Sequence, residues 1–440
     1  MLAKDPVLPV LDLVSAPRGM VAFFNRHVLP AVDSEHEVTQ VAIEDMNYTP
    51  GKKAWVLFGI AFAGEVPSTW ALATFARDNR LEETFARHYV GLATERPVAA
   101  VFPEYRCLVE LFPFDWKLPS LARAADPAQV GPVLARLTGA RPGHPAVSVL
   151  RYRPHRRCLL AYGDQADEGA LTVIGKVYPE PSEAARVRKR LQDLQAQSAD
   201  AGLRIPKPLG LSRPLSLLLM ERLPGTSMKE IVHAPDLPPI TEASLQAAAA
   251  LAALHSLRLE GATRGRPLST EWERLRRWIR RLHAVAPELA RRFESILDRI
   301  STLAPESQPG APTPVHGDFK PSQLLLEGER VGIVDFDRIC LGDPAVDVGN
   351  FMAQFHKEAV HEGRDHLRPL ADAFLAAYLD RGQATGLESR ARLVQSLALV
   401  RMAAGYFRRA PHAYADDGDG SSPVLLLDEA ETCLAAVPPS

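Results

Sequence analysis

The chain has 440 residues, a formal net charge of −2 and 46% hydrophobic residues. This length can supply sizeable cores for two to four domains or lobes. The balanced charge gives no basic excess of the kind that attracts nucleic acid, and the apolar run from Ala54 to Ala63 is too short to span a bilayer. We therefore expect a soluble globular protein without a nucleic-acid or membrane partner.

The cysteines carry information about the cellular compartment. Cys107, Cys158, Cys340 and Cys433 are far apart in the sequence and lack the spacing of a metal site or a disulfide framework. The N-terminal segment also lacks a charged stretch followed by a longer apolar core, which is the pattern of a secretory signal. A reducing, cytoplasmic location is therefore expected.

The first part of the chain predicts an additional subdomain that contains β-structure. Predicted strands cover four runs, at residues 38–44, 54–63, 98–102 and 107–112. Predicted helices cover roughly residues 70–89 and 121–138. We expect this subdomain to comprise residues 1–140.

A short pattern occurs twice in the chain. Tyr48-Thr49-Pro50-Gly51-Lys52-Lys53 and Tyr152-Arg153-Pro154-His155-Arg156-Arg157 share the form Tyr-x-Pro-x-basic-basic, and an apolar strand is predicted after each. Two unrelated basic hairpin turns explain so short a pattern as well as a duplication does. The pattern nevertheless suggests that the N-terminal subdomain resembles part of the unit that follows it.

Residues 141–225 predict a second β-rich unit. Strands are predicted at residues 147–152, 158–162, 170–178 and 215–220, and a helix at residues 182–197. Lys176 lies in the third of these strands among apolar residues, where an unpaired ammonium group would be costly, so we expect it to have a partner. The unit ends in Met220-Glu221-Arg222-Leu223, followed by the Pro-Gly pair of a linker.

Residues 226–440 predict a mostly helical lobe. Helices are expected at residues 241–257, 271–300, 366–382 and 388–409. Between the second and third of these helices, the sequence changes character and places polar residues after short apolar runs. This stretch carries the chemistry.

The chemical stretch begins with His316-Gly317-Asp318 in a loop after an apolar strand, and Gln323 follows five residues after Asp318. The apolar runs at 324–326 and 331–334 predict a hairpin, which leads into Asp335-Phe336-Asp337. Such a hairpin would bring the carboxylates and the amide to one end of a small sheet. Carboxylate and amide oxygens are ligands for Mg²⁺, so a metal-bound phosphate beside a base is the expected arrangement.

A resemblance to the aminoglycoside phosphotransferase-like small-molecule kinases rests on the order of the motifs. They are Lys176, Met220-Glu221-Arg222-Leu223, His316-Gly317-Asp318 with Gln323, and Asp335-Phe336-Asp337 before Gly342-Asp343-Pro344. The resemblance covers roughly residues 146–410. It implies an α+β, protein-kinase-like fold with a β-rich N-lobe and a helical C-lobe, to which this chain adds an N-terminal α/β subdomain.

The resemblance also implies the nucleotide-binding residues. Lys176 would bind the α- and β-phosphates of ATP or GTP and pair with Glu183 in the first turn of the following helix. Met220, Glu221 and Leu223 would contact the nucleotide from the hinge between the lobes, where backbone groups of Glu221 and Leu223 would pair with adenine or guanine. The sequence contains no Gly-x-Gly-x-x-Gly loop, so the hairpin at 152–157 would cover the phosphates through Arg156 or Arg157; a solvated basic turn is the alternative.

For the reaction itself, the resemblance implies that Asp318 orients the acceptor hydroxyl and accepts its proton, while Asp335 holds Mg²⁺. Gln323 stands where the family has Asn; it keeps the amide oxygen and adds a methylene, so it remains a candidate ligand. Asp337 would touch a second ion or cap the turn. Lys320 would neutralise charge on the transferred phosphoryl group, unless it is simply exposed to solvent.

Three further residues near the catalytic loop are given structural roles. Either Asp343 or Asp347 would brace the backbone of the catalytic loop. His316 is interpreted as a structural loop residue rather than as an acid or base.

The expected function is transfer of the γ-phosphoryl of ATP or GTP, with Mg²⁺, to a hydroxyl of a small polar metabolite such as a sugar, a sugar derivative or an aminoglycoside. The enzyme would be a monomer or a homodimer. The alternative is a pseudokinase-like protein that binds nucleotide and regulates a partner. Gln323 and the missing Gly-rich loop favour this alternative, whereas Lys176, Asp318 and Asp335 oppose it.

Overall fold

The computed structural model describes most of the chain. The described residues are 5, 7–8, 17–32, 36–64, 68–77, 80–139, 145–163, 173–259, 261, 264–265, 267–304, 313–382, 386–412, 414 and 420–437.

The first part of the chain forms a five-stranded antiparallel sheet in the order β1-β2-β3-β5-β4. Its strands are β1 (Val38–Thr49), β2 (Lys53–Phe62), β3 (Thr69–Ala76), β4 (Ala99–Phe102) and β5 (Cys107–Leu111). The accompanying helices are α1 (Pro17–Phe23), α2 (Leu29–Val32), joined to α1 by a π-helical turn at Phe24–Val28, and α3 (Arg80–His88).

The helix predicted for residues 70–89 is wrong in its first half, which is strand β3. This strand lies between β2 and β5, and the run Ala71–Phe75 is almost wholly buried, so it shows no alternation of apolar and polar residues. A short continuous apolar run of this kind does not distinguish a central strand from a helix. In the second half, the helix is observed at Arg80–His88, a segment rich in charged residues.

A second five-stranded antiparallel sheet follows, in the order β6-β7-β8-β11-β10. Its strands are β6 (Ala146–Arg153), β7 (Arg157–Gly163), β8 (Val173–Val177), β10 (Pro208–Ser212) and β11 (Leu217–Glu221). The described residues of this part also form the helices α4 (Leu121–Ala125), α5 (Pro127–Thr138) and α6 (Pro181–Ser198). Leu121 and Val130 of α4 and α5 share a core with residues of this sheet. The domain limits at residues 140 and 225 stay predictions.

The remainder is mostly helical. Its helices are α7 (Met228–His233), α8 (Leu237–Ser256), α9 (Leu268–Leu282), α10 (Pro287–Leu303), α11 (Ala345–Glu362), α12 (Pro369–Leu379), α13 (Leu387–Arg409) and α14 (Ser422–Ala435). The single helix predicted for 271–300 is two helices, because Pro287 has no amide hydrogen to donate and begins a new helix at its first position.

Two small sheets lie within the helical lobe. One has the order β12-β14-β15-β9, and the other pairs β13 with β16. Their strands are β9 (Leu203–Arg204), β12 (Thr226–Ser227), β13 (Thr313–Val315), β14 (Leu324–Glu327), β15 (Arg330–Ile333) and β16 (Cys340–Gly342). The predicted hairpin is the antiparallel pair β14–β15.

The N-terminal sheet packs against both of the other parts. Phe58 on one face shares a core with Phe293 and Phe407 of the helical lobe. Leu57 and Leu72 on the other face share a core with the second sheet. The predicted α+β architecture, with a β-rich lobe, a helical lobe and an additional N-terminal subdomain, is confirmed. Among the helices within the described ranges, none has the length and apolar character needed to cross a membrane.

Candidate active site

The loop after β13 is fixed by a buried carboxylate. Asp347, in the first turn of α11, accepts hydrogen bonds from the backbone N–H of His316 at 2.6 Å and of Gly317 at 2.8 Å. Its Oδ2 also lies 3.2 Å from Nε2 of His255. Asp343 does not take this role: it accepts from Nε of Arg390 at 2.9 Å and from the N–H at the start of α11. Asp347 is therefore the brace.

Replacing Asp347 with Asn is expected to destabilise the protein by about 3 kcal/mol. Each oxygen of the carboxylate now accepts from one backbone N–H, so the new NH₂ group would face one of these N–H groups and two donors would meet in a buried place. Urea unfolding measures the loss. The control is Asp372→Asn, because that side chain is 65% exposed and its ion pair with Arg392 is worth little. Equal losses for the two variants would refute the brace.

His316 is structural, as the sequence interpretation held. Its side chain is fully buried and its Nε2 lies 3.0 Å from the backbone oxygen of Val334, so Nε2 carries the hydrogen and donates it. The ring also packs against Phe336, with 5.1 Å between centroids. The imidazole thereby ties the loop after β13 to the segment after β15.

Gly317 adopts a backbone conformation that this loop requires. Its φ is +77°, and a Cβ atom at this position would lie 3.0 Å from the backbone oxygen of Arg338. Both the left-handed conformation and the close approach favour glycine. Asp318 follows directly, on the loop that Asp347 fixes.

Asp318 and Lys320 form an ion pair, with 2.7 Å between Oδ2 and Nζ. Burial disfavours the charged carboxylate, but the ammonium of Lys320 outweighs it and holds the pKa of Asp318 below its ordinary value. Burial also lowers the pKa of Lys320, and the nearby guanidinium of Arg153 acts in the same direction. Lys320 is therefore directed at Asp318 and is not a freely exposed lysine.

The β14–β15 hairpin brings Gln323 to Asp335. The backbone N–H of Val334 donates to the backbone oxygen of Gln323 at 3.0 Å, and Nε2 of Gln323 lies 3.4 Å from Oδ2 of Asp335. Asp335 has φ +68°, in the left-handed region that Asp tolerates better than most residues. Rotation of the Gln323 amide by 180° exchanges its nitrogen and oxygen, so either atom can face the carboxylate site.

Asp335 and Asp337 are the partners of two cations from the second sheet. Nζ of Lys176 donates to Oδ1 of each at 2.7 Å. Arg157 donates to Oδ2 of Asp335 at 2.9 Å and to Asp337 with its other terminal nitrogen. The hydroxyl of Tyr178 donates to Asp337 at 2.8 Å. The two carboxylates and two cations form a neutral cluster that joins the lobes across the cleft.

The contacts of the cluster shift the pKa values of Asp335, Arg157 and Tyr178. Burial alone would raise the pKa of Asp335, but Lys176 and then Arg157 outweigh it and hold this pKa well below its ordinary value. The pKa of Arg157 is raised: burial opposes its charge, and the two carboxylates overcome that effect. Burial and the neighbouring Asp337 raise the pKa of Tyr178, so its hydroxyl stays protonated and acts as a donor.

The expected ion pair between Lys176 and Glu183 is not formed. Lys176 instead reaches across the cleft to Asp335 and Asp337, whose side chains are 18% and 9% exposed. Carboxylates so far removed from water gain more from pairing than the partly exposed Glu183 in the first turn of α6. A contribution of Glu183 to nucleotide binding stays a prediction.

Arg157, and not Arg156, enters the cleft. Alternation along β7 directs Arg157 and Leu159 into the cleft and Cys158 into the core on the other face. Arg156 lies in the preceding turn and is exposed. Of the two arginines named from the sequence, Arg156 is thus placed outside the cleft and Arg157 inside it, and phosphate binding by Arg157 stays a prediction. The sequence signal that separates them is this alternation, counted back from the apolar strand.

The cleft between the lobes has a volume of about 540 Å³, within the range of small-molecule sites. Its apolar part is lined by Leu150, Ile174, Met220, Leu325 and Val334. A β-bulge places Leu150 as an extra residue between the positions that pair with β7, which turns it toward the cleft.

The connection after β11 offers backbone groups to this apolar part. The backbone N–H of Leu223 has no hydrogen-bond acceptor among the residues that the structure describes, and the residue lines the cleft. The backbone N–H of Glu221 already donates to the backbone oxygen of Lys207 at 3.0 Å. A planar base can thus use the N–H of Leu223, and at Glu221 only the carbonyl oxygen.

Comparison with known proteins gives a family match. The model of the phosphotransferase enzyme family matches residues 160–393. No curated protein matches the chain.

Similar solved structures cover most of the chain at low identity. The ADP-bound aminoglycoside phosphotransferase APH(2'')-Ib is 14% identical, with 70% of this chain and 96% of that chain covered and a TM-score of 0.44. The macrolide 2'-phosphotransferase MphH from Brachybacterium faecium is 18% identical, with 71% of this chain and 98% of that chain covered and a TM-score of 0.42. A thermostable mutant of the aminoglycoside phosphotransferase APH(4)-Ia, with ADP and hygromycin B, is 16% identical, with coverages of 70% and 98% and a TM-score of 0.45.

Proposed function

The chain belongs to the phosphotransferase enzyme family and is a small-molecule kinase, and we propose that it moves the γ-phosphoryl of ATP or GTP to a hydroxyl of a small polar metabolite. A sugar, a sugar derivative and an aminoglycoside are the acceptor classes proposed. The observation that carries this proposal is the cluster of Lys176, Arg157, Asp335 and Asp337 at one end of the cleft, with Asp318 on the adjoining loop.

The cluster suits a triphosphate and a metal ion because its charges can exchange partners. In the cluster, two cations neutralise two carboxylates. A polyanionic phosphate chain would take over Lys176 and Arg157 as its own counter-charges. Asp335 and Asp337 would then be available to bind a metal cation.

The donor set fits Mg²⁺. Asp335, Asp337 and the amide oxygen of Gln323 are hard oxygen donors, and all three line the cleft. Bound Mg²⁺ would neutralise the charge that develops on the phosphate oxygens. The additional methylene of Gln323, relative to the Asn of the family, gives its oxygen reach without changing its chemistry.

Asp318 would orient the acceptor hydroxyl and receive its proton during transfer. Its ion pair with Lys320 keeps the carboxylate charged and therefore able to accept. When a transferred phosphoryl group approaches, Lys320 has an alternative anionic partner close to Asp318. Release of Lys320 toward that group would free the carboxylate for the hydroxyl at the moment when the proton must move.

The test is a thermal-unfolding experiment with nucleotide in the presence and absence of Mg²⁺. ATP or GTP at about 100 times its Kd should stabilise the folded protein by about 2.7 kcal/mol when Mg²⁺ is present, and much less when it is chelated. Adenosine and guanosine with Mg²⁺ serve as controls, since they lack the phosphates that the cluster would bind.

Turnover is then measured by nucleotide consumption across aminoglycosides, mono- and disaccharides, and amino alcohols. Acceptor-dependent consumption supports the proposed reaction. Metal-dependent stabilisation without turnover on any acceptor would favour the pseudokinase-like alternative. No stabilisation by either nucleotide would overturn the proposed function altogether.

A further inference from the structure

The turn of the β6–β7 hairpin is held from outside by a buried carboxylate. Asp115, which is 3% exposed, accepts at Oδ2 from the hydroxyl of Tyr152 at 2.9 Å and from the backbone N–H of His155 at 2.7 Å. Its Oδ1 accepts from the backbone N–H of Lys117 at 2.9 Å. Asp115 therefore joins its own turn to the turn that precedes Arg157.

A second buried carboxylate supports the same turn. Glu110, at the end of β5, accepts at Oε1 from the backbone N–H of Trp116 at 3.0 Å and from the hydroxyl of Tyr89. Its Oε2 lies 3.3 Å from Nε2 of His155. His155 has φ +62°, so its conformation is one that local sterics disfavour and these contacts stabilise. The hairpin is thus fixed by the N-terminal part of the chain.

The first sheet has the same arrangement, in which an aspartate accepts hydrogen bonds from a tyrosine hydroxyl and from a backbone N–H of the hairpin turn. Asp5 accepts at Oδ2 from the hydroxyl of Tyr48 at 2.6 Å and from the backbone N–H of Gly51 at 2.8 Å, and at Oδ1 from the N–H of Val7 at 2.8 Å. Gly51, like His155, has positive φ. Both aspartates also begin the sequence Asp-x-x-Leu-Pro-x-Leu.

The two sheets are therefore copies of one unit. Their strand orders, β1-β2-β3-β5-β4 and β6-β7-β8-β11-β10, are the same. The non-glycine residues with positive φ at Arg106 and Ser216 also stand at the same place, directly before β5 and β11, each of which occupies the fourth position across its sheet. A duplication explains the repeated Tyr-x-Pro-x-basic-basic pattern better than two unrelated turns.

The two sheets differ at the position of Lys176, which is proposed to bind phosphate. Counting along the ladders from Arg106 and Ser216 places Thr74 at the position of Lys176. The first sheet thus lacks the phosphate-binding lysine, and its hairpin packs toward the helical lobe, with the ring of Tyr48 6.4 Å from that of Phe407. Asp5 fixes a hairpin that carries nothing into the cleft, whereas Asp115 fixes one that carries Arg153 and Arg157.

We propose that Asp115, supported by Glu110, is a positioning residue for the nucleotide phosphates. By fixing the turn of the β6–β7 hairpin, it holds Arg157 where the triphosphate binds. Positioning before binding removes the entropy cost of ordering the hairpin around the ligand. In this chain, the hydrogen bonds that Asp115 and Glu110 make with the hairpin turn, which we call the Asp115 clamp, take the place of a Gly-rich loop. The inference rests on the proposed function.

The test compares, in the full chain, matched variants of the Asp115 clamp and of the corresponding contacts of Asp5 with Tyr48 and Gly51, the Asp5 clamp. Asp115→Asn is expected to weaken binding of ATP with Mg²⁺ about tenfold and to leave binding of adenosine within about twofold, because the turn that Asp115 fixes directs Arg157 at the phosphates, whereas the base would lie in the apolar part of the cleft. Asp5→Asn is expected to lose similar stability while its ATP affinity stays within about twofold of the original. Calorimetry gives the affinities and urea unfolding the stabilities.

A milder pair, Tyr152→Phe and Tyr48→Phe, removes only one hydrogen bond from each clamp and protects the test against misfolding of Asp115→Asn. Tyr152→Phe is expected to weaken ATP binding about threefold, and Tyr48→Phe not to change it. Equal ATP affinity in all four variants would overturn the inference. Failure of the unmodified chain to bind ATP would instead overturn the proposed function.

Discussion

Replacing Asp318 with Asn is expected to lower kcat by about 10³-fold while changing nucleotide affinity by less than about twofold. The amide keeps the size of the carboxylate but cannot accept the proton of the acceptor hydroxyl. Asp318 contacts Lys320 and not the cluster around Asp335, so nucleotide binding has no reason to change. The measurement is steady-state turnover with an acceptor found in the screen, together with calorimetric binding of ATP and Mg²⁺.

A control for the Asp318 variant is Lys320→Met, which removes the cation but leaves the base. The Lys320 side chain is only partly exposed, so Met is a suitable replacement in size, and a moderate loss of about tenfold in kcat is expected. Normal turnover by Asp318→Asn would show that the base has been assigned to the wrong residue. A loss of nucleotide affinity equal to the loss of kcat would show that the loop has been distorted.

Replacing Asp335 with Asn is expected to reduce Mg²⁺-dependent ATP binding by about 100-fold and turnover by more than about 10³-fold. The variant loses one charged oxygen of the metal site and leaves Lys176 and Arg157 with Asp337 alone. Binding of adenosine should stay unchanged, because in the proposed binding mode the base contacts the apolar part of the cleft. Titration calorimetry with and without Mg²⁺ gives the metal-dependent part of the ATP affinity.

The same variant has a signature in the pH dependence of stability. The folded-state pKa of Asp335 is depressed, so its ionised form contributes stability at every pH above the unfolded-state value, which is about 4. This contribution declines as pH falls from about 4 toward the lower folded-state pKa. The difference in unfolding free energy between the original chain and Asp335→Asn should therefore be constant near pH 7 and shrink below about pH 4. A difference that grew on acidification would contradict the cluster.

Sequence patterns predicted the parts of the site that local chemistry determines. The β14–β15 hairpin followed from two apolar runs with a turn between them, and it brings Gln323 and Asp335 together as expected. The choice between Asp343 and Asp347 was beyond sequence, because both stand at the start of α11 and only the packing of that helix decides which carboxylate reaches the loop.

Other features depend on contacts between distant segments. Arg157 meets Asp335 and Asp337 about 180 residues later in the chain, and no local pattern encodes that distance. Strand β3 was predicted as a helix because burial on both faces removed its alternation. The repeat shows in the sequence at the hairpin turn and in the Asp-x-x-Leu-Pro-x-Leu segments, but not along the strands, since Thr74 and Lys176 share a position without sharing any chemistry.

The three-way packing of the chain has a mechanical consequence. Two rigid bodies joined by one connection can rotate about it, as in a hinge, but three bodies that each touch the other two form a closed triangle. Here the first sheet touches the helical lobe through one core and the second sheet through another, and the second sheet meets the helical lobe across the cleft. Opening the cleft by rotation would pull apart one of two buried apolar interfaces. If the cleft binds nucleotide as proposed, we therefore expect exchange to proceed through local movements of the residues that line it, such as Leu150, and not through rotation of the lobes.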